Sequence, residues 1–308
     1  MTKITLDYVE FYITNVCNFN CTHCNRFNNY QFSGQQKWDD YKDIYREWSN
    51  KLDLPRVSIL GGEPTLNPTF MDWVNGVREL WPETSIEITT NGTRFKFWPE
   101  LYQTIIDHRK KGGQTFISIG VHNKDRKDEM IQEIKESLQK PITESYISWG
   151  EEVDPTVPLA EGRFIDLKLV DANWVTVVVQ DNWYFADSAL REKDGVFTLY
   201  ENNGSRAHEL CYNRDSHHFI KGKLYKCGVA GLLPEFTDQF QFDLTKKQQE
   251  LVHSYAPLEV DNTEQEMQTF IANIKNVIPQ CSLCPVEFDT YEISASTIKQ
   301  KIKKNAKV

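Results

Sequence analysis

Apolar residues along the first two-thirds of the chain follow two periods, one typical of strands and one typical of helices. Val9, Phe11 and Ile13 recur at every second position and predict a first strand. The same reasoning predicts short strands at 56–60, 86–90, 116–121, 145–149 and 174–180. Helical spacing of apolar residues predicts helices over 38–52, 67–80, 98–111 and 130–138, the second of them capped by Asn67 with Pro68 at its first position. About six strand–helix units in succession predict an α/β fold with a parallel sheet, either doubly wound or curved into a full or partial barrel.

The last third of the chain has a different pattern, which predicts a small α+β unit. A β-hairpin is predicted at 219–226, with its turn at Lys221-Gly222-Lys223. A helix is predicted at 245–255 and another at 263–278, which opens with a capping box of Thr263 and Glu266. We expect a core domain over residues 1–190, a second domain over 191–290 and a tail over 291–308.

Composition and charge place the chain among ordinary globular proteins and exclude several functional classes. Of its 308 residues, 40% are hydrophobic and 26% are charged, which excludes a disordered chain. The formal net charge of -9 argues against a protein that coats nucleic acid or an anionic membrane. No stretch approaches the roughly 18 consecutive apolar residues of a membrane span, and the N-terminus is too short and polar for a signal peptide. We therefore expect a cytoplasmic protein with no nucleic-acid or membrane partner.

The seven cysteines fall into two groups with none between them. An odd count fits poorly with a disulfide framework, and clustered cysteines in a cytoplasmic chain more often bind metal. The first group has three members near the start of the chain, and the second has four in the last third: Cys17, Cys21 and Cys24, then Cys211, Cys227, Cys281 and Cys284.

The first cysteine group lies on one short loop directly after the first predicted strand. Three thiolates on such a loop can hold three irons of a cubane cluster and leave the fourth iron open for inner-sphere chemistry. A zinc site with His23 as fourth ligand, or three buried structural cysteines, are the alternatives that spacing alone leaves open. The position of the loop favours an active site over a structural role, because active sites of strand–helix folds lie at the carboxyl ends of the strands.

A second motif, Gly61-Gly62-Glu63-Pro64, directly follows the second predicted strand. Paired glycines let backbone carbonyls approach a ligand, and Glu63 adds negative charge beside them, so the motif suits an ammonium group. By itself the motif is more often only a turn. Together with the three-cysteine loop on the preceding strand, it resembles the signature of the radical S-adenosylmethionine (SAM) superfamily.

This resemblance implies a partial (β/α)6 TIM-like barrel in which Cys17, Cys21 and Cys24 hold a [4Fe-4S] cluster. The amino and carboxylate groups of SAM chelate its open iron, and Gly61, Gly62, Glu63 and Pro64 line the SAM site. His23 occupies the family's aromatic position beside the adenine. The segment Thr89-Thr90-Asn91-Gly92 is similar to the family's TNG segment near SAM, which assigns Thr90 and Asn91 to the site, although a plain strand-ending turn is an equal alternative.

The fourth predicted strand departs from the family pattern. Gly120 falls where members often place a SAM-contacting serine, and Ser118 lies one step earlier on the same face, so Ser118 is our candidate. His122 falls where an acidic residue often follows, and a buried core histidine is the slightly favoured interpretation. This departure leaves the contacts to the ribose and carboxylate of SAM open.

The second cysteine group resembles the twitch domain, the shortened SPASM-like auxiliary-cluster domain of radical SAM enzymes. The spacing of Cys211, Cys227, Cys281 and Cys284 implies one further [4Fe-4S] cluster with four protein ligands, whereas in isolation structural zinc is the leading interpretation. Full ligation favours electron transfer over direct substrate binding.

The resemblance implies an oxygen-sensitive oxidoreductase that cleaves SAM reductively to a 5′-deoxyadenosyl radical and abstracts a substrate hydrogen atom. The auxiliary cluster takes the remaining electron, which makes the reaction a two-electron oxidation of a small molecule. An electron donor such as flavodoxin or ferredoxin is implied. The first strand begins within about eight residues of the N-terminus, which leaves no room for a peptide-recognition domain and favours a small-molecule substrate. The alternatives are radical modification or cross-linking of a peptide side chain, and a non-catalytic iron–sulfur or zinc scaffold.

Overall fold

A computed structural model of the protein describes most of the chain. The described residues are 3–21, 23–30, 32–148, 151–153, 166–181, 184–186, 189–193, 196–287, 290–292 and 295–296. Most of the expected tail at 291–308 lies outside them.

Strands of two to eight residues occur throughout the described ranges, and we number them in chain order. They are β1 (Ile4–Thr5), β2 (Tyr8–Tyr12), β3 (Asn20–Cys21), β4 (Leu52–Asp53), β5 (Arg56–Leu60), β6 (Ser85–Thr90), β7 (Gln114–Val121), β8 (Thr143–Ser148), β9 (Glu151–Val153), β10 (Asp166–Val170), β11 (Thr176–Asp181), β12 (Tyr184–Ala186), β13 (Leu190–Lys193), β14 (Val196–Leu199), β15 (His217–Ile220), β16 (Lys223–Tyr225), β17 (Thr290–Glu292) and β18 (Ala295–Ser296).

Helices connect the first strands and make up much of the last third. They are α1 (Trp38–Lys51), α2 (Phe70–Leu80), α3 (Glu100–Lys110), α4 (Lys127–Ser137), α5 (Gly204–Leu210), α6 (Gly228–Gln239), α7 (Lys246–His253) and α8 (Glu264–Asn273).

The largest sheet in the described part of the chain has ten strands in the order β16-β15-β2-β5-β6-β7-β11-β10-β8-β9. Neighbouring strands from β15 to β11 in this order pair in parallel. Helices α1, α2 and α3 follow β2, β5 and β6 along the chain and lie in the crossover connections that parallel strands need. The mixed α/β fold with a mainly parallel central sheet is therefore confirmed.

After β7 the sheet departs from an uninterrupted series of parallel strand–helix units. The strand predicted at 145–149 is β8, which pairs antiparallel with β10, and β10 pairs antiparallel with β11. The strand predicted at 174–180 is β11, and it takes the parallel position beside β7. The reason is connection length, because the five residues between β10 and β11 are too few for the dozen or more that a parallel crossover needs.

The two faces of the parallel strands differ in polarity. One face carries aliphatic and aromatic side chains, such as Val9, Phe11, Ile59 and Ile88, which form the main hydrophobic cluster with residues of α1 to α4. Since side chains alternate across a strand, the other face carries the intervening residues. These include buried polar side chains, namely Glu10, Ser58, Glu87 and Ser118.

The predicted hairpin is confirmed as β15 and β16, and it belongs to the same sheet as the core strands. β15 pairs in parallel with β2. The rings of Phe219 and Phe11 lie 5.2 Å apart, and Trp48 Nε1 donates a hydrogen bond to the Gly222 carbonyl oxygen at 2.8 Å. The division into domains at 190 and 290 stays a prediction, and the hairpin joins the two expected parts.

The helices of the last third agree with the sequence prediction only in part. The capping box of Thr263 and Glu266 is confirmed at the start of α8, and α7 lies within the predicted 245–255. Helix α6 was not predicted, since Gly228, Gly231 and an internal Pro234 are poor helix formers that hide its pattern.

The start of α2 also differs from the prediction. The helix begins at Phe70 rather than at Pro68, and its N-cap residue is Thr69. Asn67 instead ends the short 3-10 turn before it, and its Nδ2 donates to the carbonyl oxygens of Ile13 and Gln36 at 2.8 and 2.7 Å. Within the described ranges, none of these helices is long and apolar enough to cross a membrane.

Candidate functional site

The first cysteine loop leaves the carboxyl end of β2, as predicted. Cys21 lies in β3 and is buried, whereas Cys17 and Cys24 are partly exposed. The Phe19 backbone N–H donates to Cys17 Sγ at 3.4 Å, and Cys24 Sγ donates to Asn28 Oδ1 at 3.7 Å. These contacts connect the thiols of Cys17 and Cys24 to neighbouring groups of the loop.

The paired glycines pack against the chain segment that leads into this loop. The Gly62 N–H donates to the Thr14 carbonyl oxygen at 2.8 Å, and the Glu63 N–H donates to that of Val16 at 2.8 Å. A Cβ atom on Gly61 would lie 2.6 Å from Thr14 O, and one on Gly62 would lie 2.5 Å from Val16 O. In this structure the close approach that glycine allows is thus to the protein's own backbone, and it positions the cysteine loop.

Glu63 is fully buried and links the ends of β5 and β6. It caps the 3-10 turn that begins at Pro64, and its Oε1 accepts from the N–H of Thr65 at 3.1 Å. Oε1 also accepts from Thr90 Oγ1, and Oε2 from the Asn91 N–H, each at 2.7 Å. Burial raises the pKa of Glu63, and these hydrogen bonds oppose the rise. The carboxylate expected to face an ammonium group is therefore engaged by the protein itself.

Asn91 carries this connection onward to the cysteine loop. Its Nδ2 donates to Asn18 Oδ1 at 2.9 Å and lies 4.0 Å from Cys17 Sγ. Asn18 Nδ2 donates in turn to Thr93 Oγ1 at 2.8 Å. The structure therefore brings the predicted Thr90 and Asn91 together with Glu63 and the first cysteine.

The end of β7 adds a fourth strand to the same edge. The His122 and Phe19 rings lie 6.4 Å apart in an edge-on arrangement, and His122 is only partly buried. Ser118 lies deeper, between Thr89 of β6 and Val178 of β11 in register. It is 1% exposed, and within the described part of the chain its Oγ has no hydrogen-bond partner. Ser118 thus has an unused hydroxyl, as a ligand-contacting residue requires.

His23 lies between the second and third cysteines of the loop. It has a φ of 58°, a left-handed conformation that is uncommon for residues other than glycine. Such conformations cluster at binding loops, where the surrounding structure maintains them. The position of His23 is compatible with the expected packing against a ligand.

The second cysteine group converges on one cavity of about 80 Å³, lined by all four of its members. Cys211 follows α5, Cys227 precedes α6, and Cys281 and Cys284 belong to one turn. Burial raises the pKa of each thiol, to about 11 for Cys227, and the neighbouring cysteines add to the rise at Cys227 and Cys284. Such thiols need a metal or a nearby cation to ionise at neutral pH.

Hydrogen bonds to backbone carbonyl oxygens hold the elements around this cavity. Asn202 donates from its N–H to the Ser282 carbonyl oxygen at 2.8 Å and from Nδ2 to that of Cys284 at 2.9 Å. On the hairpin side, His217 Nδ1 lies 2.7 Å from the Lys226 carbonyl oxygen. The residues beside Cys227 and Cys284 are therefore fixed by the fold.

Basic side chains that the sequence analysis did not single out share the cavity with the cysteines. They are Arg26, His208, Arg214, His218 and Lys226. Lys226 is 2% exposed, and its Nζ donates to the Ile274 carbonyl oxygen at 2.7 Å. The sequence could have identified two of these residues by their closeness to cysteines. Arg26 follows Cys24 by two positions, and Lys226 directly precedes Cys227.

Both candidate donor sets consist of cysteine thiols. Three thiols share one loop, four more line one cavity, and thiolates are the usual ligands of such clusters. Across the described ranges, no three His, Cys, Asp or Glu side chains form a group suited to a single metal ion.

Comparison with known proteins identifies a family over part of the chain. Residues 11–153 match the family model described as the Radical SAM superfamily. Among curated proteins, a GTP 3',8-cyclase of Pectobacterium atrosepticum is 34% identical over 92 residues, which are 28% of this chain and 27% of that protein. One of Cronobacter sakazakii is 35% identical over 92 residues, with the same coverage. The chain thus spans about a quarter of the length of these relatives.

Two solved structures are similar to part of this chain. BtrN in complex with AdoMet and 2-DOIA is 22% identical, with a TM-score of 0.29, over 40% of this chain and 48% of that one. Streptococcus suis SuiB bound to S-adenosylmethionine is 18% identical, with a TM-score of 0.28, over 44% of this chain and 38% of that one.

Proposed function

Residues 11–153 of this chain form a radical SAM domain, and from this premise we propose that the whole protein is a radical SAM oxidoreductase with a second, auxiliary iron–sulfur cluster. When bound, SAM and a [4Fe-4S] cluster on Cys17, Cys21 and Cys24 supply a 5′-deoxyadenosyl radical, which takes a hydrogen atom from the substrate. The protein's own task is to hold the loop, orient the ligands and exclude water.

The observation that carries this proposal is the convergence of four strand ends on the first cysteine loop. Glu63 joins the ends of β5 and β6, and Asn91 joins that pair to Asn18 beside Cys17. Active sites of parallel α/β folds lie at this edge of the sheet. The rigid support of the loop suits a cluster that must keep one iron accessible to a ligand.

The cavity of the second cysteine group supports the auxiliary cluster. Zinc ligands all lie about 2.0–2.3 Å from one ion, so four zinc-bound thiolates surround a single point. The four thiols here instead line a space of about 80 Å³. Four thiolates around such a space match the ligand set of a [4Fe-4S] cluster without an open iron, which suits electron transfer.

We propose a two-electron oxidation of a small molecule as the net reaction. A donor such as flavodoxin or ferredoxin would supply the electron for SAM cleavage. A cluster held by Cys211, Cys227, Cys281 and Cys284 would accept the electron left on the substrate after it has given up one hydrogen atom, and a base or solvent would take the proton. The curated cyclases match over 92 residues, so their reaction is not part of this proposal.

Anaerobic reconstitution with iron and sulfide tests the proposal. We expect about eight irons per chain and 5′-deoxyadenosine from SAM and dithionite. A variant with alanine at Cys17, Cys21 and Cys24 should retain about four irons and form no 5′-deoxyadenosine, whereas alanine at Cys281 and Cys284 should spare SAM cleavage.

Three outcomes would each contradict one part of the proposal. Full iron loading without any SAM cleavage would contradict the proposed radical SAM activity. Four irons and one tightly held zinc per chain would show that the second cysteine group is a structural zinc site rather than an auxiliary cluster. A product found on a peptide rather than on a small molecule would contradict the proposed substrate class.

A further inference from the structure

A buried carboxylate connects the first cysteine loop to the cavity of the second cysteine group. Glu10 of β2 is 5% exposed. Its Oε2 lies 2.8 Å from Arg26 Nη2 and 2.7 Å from His218 Nε2, and its Oε1 accepts from Tyr8 OH at 3.1 Å. Burial alone would raise the pKa of Glu10, but the two basic neighbours hold it well below its usual range. Glu10 is therefore an ionised side chain, buried on the face of the sheet that carries polar residues.

The two basic partners of Glu10 both face the second cavity. Arg26 follows Cys24 by two residues, and His218 lies on β15 beside β2. Both line the cavity that holds Cys211 and Cys227, whereas Glu10 does not. The ion pair is thus oriented with its positive end toward the thiols.

Arg26 has a hydrogen-bond donor left over for a ligand. Its Nη2 contacts Glu10, and its Nη1 donates to Asn25 Oδ1 at 3.2 Å. Its Nε is buried and has no partner within the described ranges. By contrast, the Nζ of Lys226 donates to the Ile274 carbonyl oxygen.

We infer that Arg26 supplies positive charge and an N–H donor to the group bound by the second cysteines, that Glu10 is its positioning residue, and that together they make this group easier to reduce. The inference rests on the proposed auxiliary cluster. Thiolate ligands make such a cluster anionic, and reduction adds one more negative charge. A fixed cation and an N–H donor close to its sulfurs therefore stabilise the reduced form more than the oxidised form.

Arg26 would then serve both cysteine groups through one side chain. Its backbone continues the loop of Cys24, while the residue lines the same cavity as Cys211, Cys227 and their partners. A change in the position of the first loop would move this charge relative to the second site. The arrangement ties the reduction potential of the second cluster to the folded state of the first loop.

The test is a redox titration followed by electron paramagnetic resonance on the full chain. Alanine at Cys17, Cys21 and Cys24 first removes the signal of the first cluster. In this background we expect Arg26→Gln to shift the midpoint potential to a more negative value and Arg26→Lys to restore part of the shift. Arg56→Gln is the matched control, because Arg56 forms a 2.6 Å ion pair with Glu87 on the same face of the sheet but does not line the cavity.

Arg26→Gln leaves the buried charge of Glu10 with one basic partner fewer, which can destabilise the fold. A second variant therefore controls for misfolding. The double variant Glu10→Gln with Arg26→Gln removes both charges, and its potential should also become more negative because Arg26 lines the cavity whereas Glu10 does not. Equal potentials in wild type and both variants, or an equal shift in Arg56→Gln, would overturn the inference while the auxiliary cluster stands. Loss of all iron from the triple-alanine background itself would overturn the auxiliary cluster, and the inference with it.

Discussion

At the scale of single residues, the structure assigns Glu63 to a different contact from the one its motif suggested. The motif predicted a carboxylate that faces an ammonium group. In the structure Glu63 is fully buried and accepts hydrogen bonds from Thr65, Thr90 and Asn91. Removing a buried acceptor that satisfies several donors destabilises the fold. Each donor left without a partner remains buried and no longer has a hydrogen bond to offset the free energy of its desolvation. Glu63 therefore holds the ends of β5 and β6 together, in addition to any contact it makes with a ligand.

Glu63→Gln should lower stability and disturb the site together. The amide that replaces one carboxylate oxygen is a donor, so either Thr90 or Asn91 loses its acceptor, at a cost of roughly 2 kcal/mol. We expect this loss in anaerobic urea unfolding of the apo-protein, together with at least about tenfold slower 5′-deoxyadenosine formation, which corresponds to roughly 1.4 kcal/mol.

Glu79→Gln is the control for this substitution, since Glu79 is an exposed carboxylate on α2. It should change neither property. Wild-type stability and cleavage rate in Glu63→Gln would show that the buried hydrogen bonds have no role in the site.

At the scale of elements, close backbone approach sets where the cysteine loop lies. The β5–α2 connection packs on the segment that leads into the loop, with Gly61 and Gly62 against Thr14 and Val16. On the other side of the loop, the rings of Phe27 and Phe236 stack 4.7 Å apart, which places α6 against the segment after Cys24. The loop is thus held from two sides by elements distant in sequence.

Gly61→Ala should displace the first cysteine loop without disturbing the second site. Its Cβ would lie 2.6 Å from the Thr14 carbonyl oxygen, so one of the two backbone segments must move. We expect loss of most of the first-site iron, with the second site retained, by iron analysis and electron paramagnetic resonance of reconstituted protein.

The control is Gly112→Ala, which is strained by a φ of +89° but has no atom within 4 Å of its Cβ. It should lower the melting temperature and leave the iron content unchanged. Equal iron loss in both variants would mean that general destabilisation, rather than the position of the loop, controls cluster binding.

At the scale of the whole molecule, the hairpin of the last third completes the sheet of the first two-thirds. β15 covers the edge of β2, and Phe219 packs on Phe11, Tyr45 and Trp48 within 5.2 to 5.4 Å. The second cysteine group is attached to this hairpin, so its cavity is bound to the core through β15. The two expected domains therefore share a sheet and part of a hydrophobic core.

A chain ending at residue 200 should not fold on its own. It would expose the edge of β2 and the rings of Phe11, Tyr45 and Trp48, and exposed edges and apolar patches promote aggregation. We expect the shortened protein to elute as large aggregates in size-exclusion chromatography, whereas the full chain elutes as a defined species. A monodisperse fragment with cooperative unfolding would instead establish residues 1–200 as an independently folding unit.

Local patterns predicted much of the fold and many of the residues that meet at the site. Period-two and helical spacing located β2, β5, β6, β7 and β11 with the helices between the first four, because these elements bury one regular face. Motif spacing identified the residues of the two cysteine groups, Glu63 and Asn91. The antiparallel pairing of β8 and β10, the helix α6 and the cavity partners Arg26 and Lys226 were not predicted, since connection length, an internal proline and long-range contacts leave little trace in local periodicity.

The sequence by itself determined which chemical groups this protein carries and which strands present them, because thiol spacing and apolar periodicity are properties of short segments. Only the tertiary structure decided which groups meet. It placed Glu63 among hydroxyl and N–H donors of the protein, and it brought Arg26 of the first loop to the cavity of the second cysteine group. The physical reason is that burial and pairing of charge depend on residues far apart in the chain, which become neighbours when the parallel sheet forms.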